Sequence, residues 1–133
     1  MATTAITCEL LAINARSADL DPVNGGGTGN GIVATTPSDG WVISPPSGRQ
    51  FGSTCRLTLG VDASGDTFTV LAGDRYPAQR ADLGNVTVVL AASDVRYVDL
   101  ETARFLQNDG TILVTATDTG STVTCIMGMR GDP

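Results

Sequence analysis

The sequence predicts an all-β fold: an antiparallel β-sandwich of jelly-roll type with a flexible N-terminal arm. Three observations lead there. Apolar residues recur at every second position in a series of short Thr/Val-rich runs, clusters of Gly, Asn, Asp and Ser punctuate those runs, and no segment carries the period of a helix. Hydrophobic residues make up 41% of the 133 positions and charged residues only 17%, a balance that builds a core instead of a disordered chain. The length fits a single domain, 1–133, with a strand and a Gly/Pro-rich arm over 1–50 and the β core over 51–130.

Taken in order, Ala5-Ile-Thr-Cys-Glu-Leu-Leu-Ala12 is the one strand expected near the start. The segment after it, Asp19 to Gly31, holds the glycine cluster Gly25-Gly-Gly-Thr-Gly-Asn-Gly31 and reads as a surface arm. It lacks the Lys-Ser/Thr pair and the following helix that a phosphate-binding loop needs. Trp41-Val-Ile43 is a short apolar insert, and Pro45-Pro46 stops any ladder there. From Ser53 the rows become regular: Leu57, Leu59 and Val61; Phe68 and Val70; Val86, Val88 and Leu90; Ile112, Val114 and Ala116; Val123, Cys125 and Met127. Each row is expected to bury its apolar side, with Thr, Arg and Asn facing solvent on the other. Turn residues fall between the rows at Ala63-Ser-Gly-Asp66, Ala91-Ala-Ser-Asp94, Asn108-Asp-Gly110 and Asp118-Thr-Gly-Ser121.

The charge balance excludes some functions. A net charge of −6 and a pI near 4.3, with no basic run, argue against a nucleic-acid binder, which must neutralise phosphates. Every cation is an arginine (Arg16, Arg49, Arg56, Arg75, Arg80, Arg96, Arg104, Arg130), and there is no histidine to act as general base or metal ligand. Carboxylate pairs such as Asp99/Glu101 and Asp62/Asp66 occur, but such pairs arise by chance among 14 acidic residues, so the chain is expected not to be an enzyme. Asp19, Asp21 and Asn24 lack the spacing of a calcium loop, and neither metal nor cofactor is expected. Arg130-Gly-Asp132 matches the integrin-binding tripeptide, too short a match beside a chain end to carry weight.

Cys8, Cys55 and Cys125 show no CxxC spacing and lie in strand-like runs. Buried free thiols are expected, with a Cys55–Cys125 bridge as the alternative. The N-terminus lacks a basic region followed by a long apolar one, so a cytosolic start is expected. No apolar run approaches the ~20 residues that cross a bilayer.

The compact stretch from Gly73 to Gly84 stands apart, because Tyr76-Pro77 restricts its backbone while Arg75, Arg80, Asp74 and Asp82 give it both signs of charge. Two readings stay open: a solvated connection, or a stiff docking element that loses little entropy on binding. Arg96 and Arg104, near Asp99 and Glu101, form a second mixed-charge candidate, which salt bridges within one subunit explain equally well. Trp41 is read as a core or interface anchor. Trp41, Tyr76 and Tyr97 are also the candidates for the rival function, a carbohydrate- or receptor-binding module, since sugars pack on exposed aromatic faces.

The succession Phe68-Thr-Val-Leu-Ala-Gly-Asp74, Pro77-Ala78, Ala81-Asp-Leu-Gly-Asn-Val-Thr-Val88, Arg96-Tyr97 and Leu100-Glu-Thr-Ala-Arg-Phe-Leu-Gln-Asn-Asp-Gly110 resembles the small head proteins of tailed bacteriophages, particularly those of actinobacterial hosts. The resemblance covers roughly residues 53–130, and its distinctive part is Leu-Glu-x-x-Arg-Phe followed by Asn-Asp-Gly. It implies a capsid decoration or cement protein, made in the bacterial cytoplasm and ending on the virion exterior. Its partners would be the major capsid protein and sister copies in a homotrimer near local threefold axes. That family offers no catalytic motif to carry over. On this reading the contact candidates are Trp41, Arg75, Tyr76, Arg80, Arg96 and Arg104, together with the Gly25–Gly31 arm.

Overall fold

The Thr/Val rows become strands because β-branched and aromatic side chains suit a pleated, half-buried surface. The structure, a computed structural model, describes residues 4–11, 32–34, 36, 38–46, 48, 50–52, 54–61, 63–74, 84–118 and 120–128. Among them are ten strands: β1 (Thr4–Thr7), β2 (Glu9–Leu11), β3 (Ile32–Val33), β4 (Trp41–Ser44), β5 (Thr54–Gly60), β6 (Asp66–Val70), β7 (Val86–Leu90), β8 (Val95–Glu101), β9 (Ile112–Thr115) and β10 (Thr122–Gly128). One helical turn, α1 (Thr102–Phe105), follows β8 directly. The strands make two sheets, one ordered β1-β4-β9-β6-β7 and the other β2-β10-β5-β8, with β3 also paired to β10. The fold is all-β, and no helix among the described residues is long and apolar enough to cross a membrane.

One apolar core joins the two sheets. Leu57, Leu59 and Val61, Phe68 and Val70, Ile112, Val114 and Ala116, and Val123, Cys125 and Met127 are all buried in it. In the row on β7 only Leu90 is fully buried, while Val86 and Val88 pack partly against the core. Trp41 is 1% exposed, and its ring lies over Phe68 with centroids 6.1 Å apart. Register explains the position: Trp41 pairs with Val114, which pairs in turn with Val70.

The sheets are mixed, where an antiparallel arrangement was expected. β1 runs parallel to β4, and β2 runs parallel to β10. Parallel neighbours need a long connection, and these partners are far apart in sequence, so no tight turn dictates their direction. The expected strand over residues 5–12 divides at Cys8, with β1 joining the first sheet and β2 the second. The Cys8 amide donates to the Ser44 carbonyl at 2.7 Å, holding the crossing point against the end of β4. Residues before position 51 also do more than form an arm, since they supply β1 to β4 and the core side chains Ile6, Cys8, Ala34, Trp41 and Ile43. The Gly25–Gly31 stretch lies outside the described residues.

The turns fall where the sequence sets them, yet all four lie between strands of different sheets. Residues 63–66 lead from β5 to β6, and residues 91–94 lead from β7 to β8. The second is closed by the Asp94 amide on the Ala91 carbonyl and by the Ala91 amide on Asp94 Oδ2, both 3.1 Å, with Ser93 at φ 63°. A further departure concerns the outward threonines. Thr58, Thr122 and Thr124 are buried instead of solvated, and the Thr122 and Thr124 hydroxyls have no hydrogen-bond partner.

Two consequences for stability follow. Trp41→Ala should cost about 3–5 kcal/mol in urea unfolding, because it opens a cavity against Phe68. Thr122→Val and Thr124→Val should each raise stability by about 1 kcal/mol, since each removes a hydroxyl buried without a partner; a loss on either change would show that the hydroxyls are satisfied after all.

Candidate functional site

Several hydrogen bonds converge on the residues that flank positions 75–83 in the sequence. On one side of that segment the Gly73 amide donates to the Arg104 carbonyl at 2.9 Å, and the Asp74 amide to the Leu106 carbonyl at 3.1 Å. Gly73 lies so close to Leu106 that a side-chain methyl there would strike the Leu106 backbone. On the other side Arg104 Nε donates to the Gly84 carbonyl at 3.2 Å. The two stems are tied directly as well, by the Ala72 amide on Asn85 Oδ1 at 2.7 Å, and Gln107 Nε2 donates to the Ala72 carbonyl at 3.1 Å.

Their partners are themselves anchored. Thr102 Oγ1 donates to the buried Gly52 carbonyl at 2.5 Å, and Phe105 and Leu106 enter the core. Asp109 Oδ1 accepts from Thr111 Oγ1 at 2.7 Å, which holds its carboxyl below the usual range and rounds off the Asn108-Asp-Gly110 turn. The Leu100–Gly110 stretch is therefore a platform that holds residues 72–74 and 84, on either side of residues 75–83 in the sequence.

A second arrangement lies on the outer face of β5 and β8. Register sets Arg56 opposite Asp99 and Thr58 opposite Tyr97. Arg56 grips Asp99 with two bonds, Nε to Oδ1 at 2.7 Å and a terminal nitrogen to Oδ2 at 3.2 Å. The same guanidinium stands 5.5 Å from the centre of the Tyr97 ring, which is 70% exposed. Hydrogen bonding by Arg56 lowers the Asp99 pKa, and the same bond raises that of Arg56. Both groups are solvated, so the pair adds little to stability; its effect is to hold an aromatic ring and two charges in one fixed layout. Val95 continues this face as an exposed apolar side chain.

The candidate residues from the sequence divide three ways. Trp41 is in the core, which removes it from any surface contact or sugar platform. Arg75, Tyr76 and Arg80 lie outside the described residues, as do Arg130-Gly-Asp132 and the aspartates at 19, 21 and 62. Arg96 is exposed on β8 and approaches Asp94 at 3.6 Å, while Arg104 lies 5.1 Å from the Phe105 ring centre as part of the platform. Asp99 is paired with Arg56. Arg56 escaped the sequence reading because its link to Asp99 and Tyr97 depends on strand register, which nothing local in the sequence specifies.

Asp66 and Asp99, one from each carboxylate pair, are held by hydrogen bonds within the fold. Asp66 is buried, a setting that by itself raises its pKa, yet hydrogen bonds from Ser121 and Thr117 and the backbone outweigh this and lower it. Its Oδ1 accepts from the Thr67 amide at 2.6 Å, the Thr117 amide at 2.9 Å, Thr117 Oγ1 at 2.7 Å and the Asp118 amide at 3.1 Å; Oδ2 accepts from Ser121 Oγ at 2.5 Å. A carboxylate so occupied is a structural junction. Among the described residues no group of three His, Cys, Asp or Glu side chains is arranged to hold a metal ion.

No protein-family model matches the chain, and no curated protein or solved structure matches it.

Because the folded pKa of Asp66 is depressed, its contribution is present above the unfolded value of about 3.9 and disappears as pH falls through the folded value. Asp66→Asn should cost about 2–4 kcal/mol at pH 7, as donors now aimed at a carboxylate meet an amide. The variant should also lose less stability than the parent between pH 5 and pH 2, read from urea midpoints; equal slopes would remove Asp66 from this role.

Proposed function

We propose that this chain is a structural virion protein, a decoration or cement protein that binds the outer surface of a bacteriophage capsid and stabilises the shell. Its partners on this reading are the major capsid protein and two sister copies, and it works by adhesion without turnover or cofactor. The observation that carries the proposal is the exposed Arg56, Tyr97 and Asp99 layout on a β-sheet backed by one apolar core. Tyrosine and arginine are the residue types that most often dominate protein interfaces, and here they are already ordered before a partner arrives. The sequence resemblance supplies the capsid as the partner. The bonds that fix residues 72–74 and 84–85, which flank segment 75–83 in the sequence, support the docking reading of that segment.

In the finer description the two sheets form a sandwich of jelly-roll type, with β7 and β8 at the ends of their sheet orders. β7 reads Val-Thr-Val-Val-Leu, without a charge to discourage strand addition, and Val89 on it is 75% exposed. It is the strand on which sister copies would meet. Attachment at several points multiplies modest affinities, and separating shell subunits then also requires breaking the contacts that bridge them.

A carbohydrate- or receptor-binding module of a phage head or tail is the alternative, and the exposure of Tyr97 is what favours it. The Arg56 guanidinium beside that ring weighs against it by occupying space a sugar would need.

Purified protein added to undecorated phage heads should co-sediment saturably, and Tyr97→Ala or Arg56→Ala should each weaken binding by roughly 10- to 30-fold. No saturable binding would remove the capsid reading; a glycan-array signal abolished by Tyr97→Ala would install the alternative.

A further inference from the structure

Three thiols meet in the core. Cys8 lies at the point where the chain crosses from the first sheet to the second, Cys125 lies in β10, and Cys55 lies in β5, all buried and all unbridged here. Cys125 is the common neighbour, with Cys8 and Cys55 both within hydrogen-bonding reach of its sulfur. The Cys125 and Cys8 sulfurs are 2.8 Å apart, nearer than two unbonded sulfurs settle.

We propose that Cys8 and Cys125 form a disulfide, with Cys55 remaining as the lone thiol beside it. Backbone geometry favours this pair. β2 and β10 are parallel with Glu9 opposite Ile126, so continuing the register by one residue sets Cys8 opposite Cys125. Neighbouring strands stand about 4.8 Å apart, inside the roughly 4.4–6.8 Å window of Cα separations that a disulfide bridges. Cys55 is less well placed, because β10 sets Leu57, not Cys55, opposite Cys125. A shared metal fits the cluster poorly: two thiolates on one zinc at about 2.3 Å each, at a tetrahedral angle, stand about 3.8 Å apart.

The reaction is thiol–disulfide exchange with a low-molecular-weight disulfide. A thiolate from one cysteine attacks that disulfide and releases one small thiol; the second cysteine then displaces the other small thiol from the mixed disulfide. The two protein thiols lose two protons and two electrons in all, and the small disulfide is reduced to two thiols. Burial is the main cause that pushes the Cys125 thiol well up, so in the folded protein it is neither ionised nor accessible. The bond therefore forms while the chain is folding or transiently open, and once formed it is shielded from reductant. It would close the chain into a ring from residue 8 to residue 125, joining its first sheet crossing to its last strand.

The test uses the full chain refolded in a buffer of reduced and oxidised glutathione, then unfolded in denaturant with N-ethylmaleimide. Tryptic cleavage places Cys8 before Arg16, Cys55 between Arg49 and Arg56, and Cys125 between Arg104 and Arg130, so each possible bond links a different pair of peptides. The expected result is a monomer that before alkylation is about 2 Da lighter than the reduced chain, and that after alkylation carries a single maleimide, on Cys55, with the Cys8 and Cys125 peptides linked. Its melting temperature should rise by roughly 10 °C on oxidation. Cys55→Ala should keep both the bond and this rise, whereas Cys8→Ala should lose both. Three maleimides on the refolded parent, or a Cys55–Cys125 peptide pair, would overturn the proposal.

Discussion

One carboxylate holds the two sheets at a shared end. Asp66 opens β6 in the first sheet, and its five hydrogen bonds reach Thr67 beside it and Thr117, Asp118 and Ser121 on the passage from β9 to β10. That passage carries the chain out of the first sheet and into the second. Without a buried anion to gather them, the Thr117 and Asp118 amides and two hydroxyls would need other partners at a place where the backbone has left its ladder. Their convergence fixes the start of β10, and β10 in turn lies between β5 on one side and β2 and β3 on the other. Val123, Cys125 and Met127 reach the core from this strand, so the packing of the second sheet depends on where Asp66 starts it.

The chain changes sheet at almost every connection. Among the described strands, only β2 and β3, and β6 and β7, are successive members of one sheet; the other successive pairs fall in different sheets. Each strand therefore pairs mainly with strands remote in sequence: β1 with β4, β4 with β9, β5 with both β8 and β10. Such a topology must close long loops before its contacts form, so it folds slowly. Once formed it resists local opening, because few units can leave without breaking both sheets. The same pairing places Arg56 and Tyr97 on neighbouring strands that are both locked to the core.

The inward rows were legible because alternation is local: Leu57 and Leu59, or Ile112 and Val114, declare their side of the sheet within three residues. The turns at residues 63–66 and 91–94 were legible for the same reason, through Gly65 and Asp94. Sheet membership was not. Cys8 looks like one more residue of a single strand, and only Ser44, distant in sequence, determines that the chain crosses there. The parallel pairings, the burial of Thr122 and Thr124, and the Arg56–Asp99 grip share this origin, since each depends on a partner that sequence proximity does not reveal. Trp41 showed the ambiguity of a lone aromatic: residue type allows core or interface, and the register with Val114 decides for the core.

The division of labour between the two faces of β5 and β8 follows from these constraints. Inward, Leu57, Leu59 and Leu100 lock the strands to the core; outward, the same backbone presents Arg56, Tyr97 and Asp99. A side chain on a loop loses rotamer and backbone freedom when it is captured, whereas one on a packed strand has lost the backbone part already. Tyr97 has only two soft torsions and the guanidinium beside it, so its remaining loss on binding is small. Arg56 is in a subtler position. Its bonds to Asp99 orient it, but an incoming carboxylate would have to share a guanidinium that is already satisfied. On the proposed adhesive role, the ring and its apolar neighbour Val95 would therefore be the stronger source of affinity, and the ion pair would chiefly set the orientation in which a partner surface could approach.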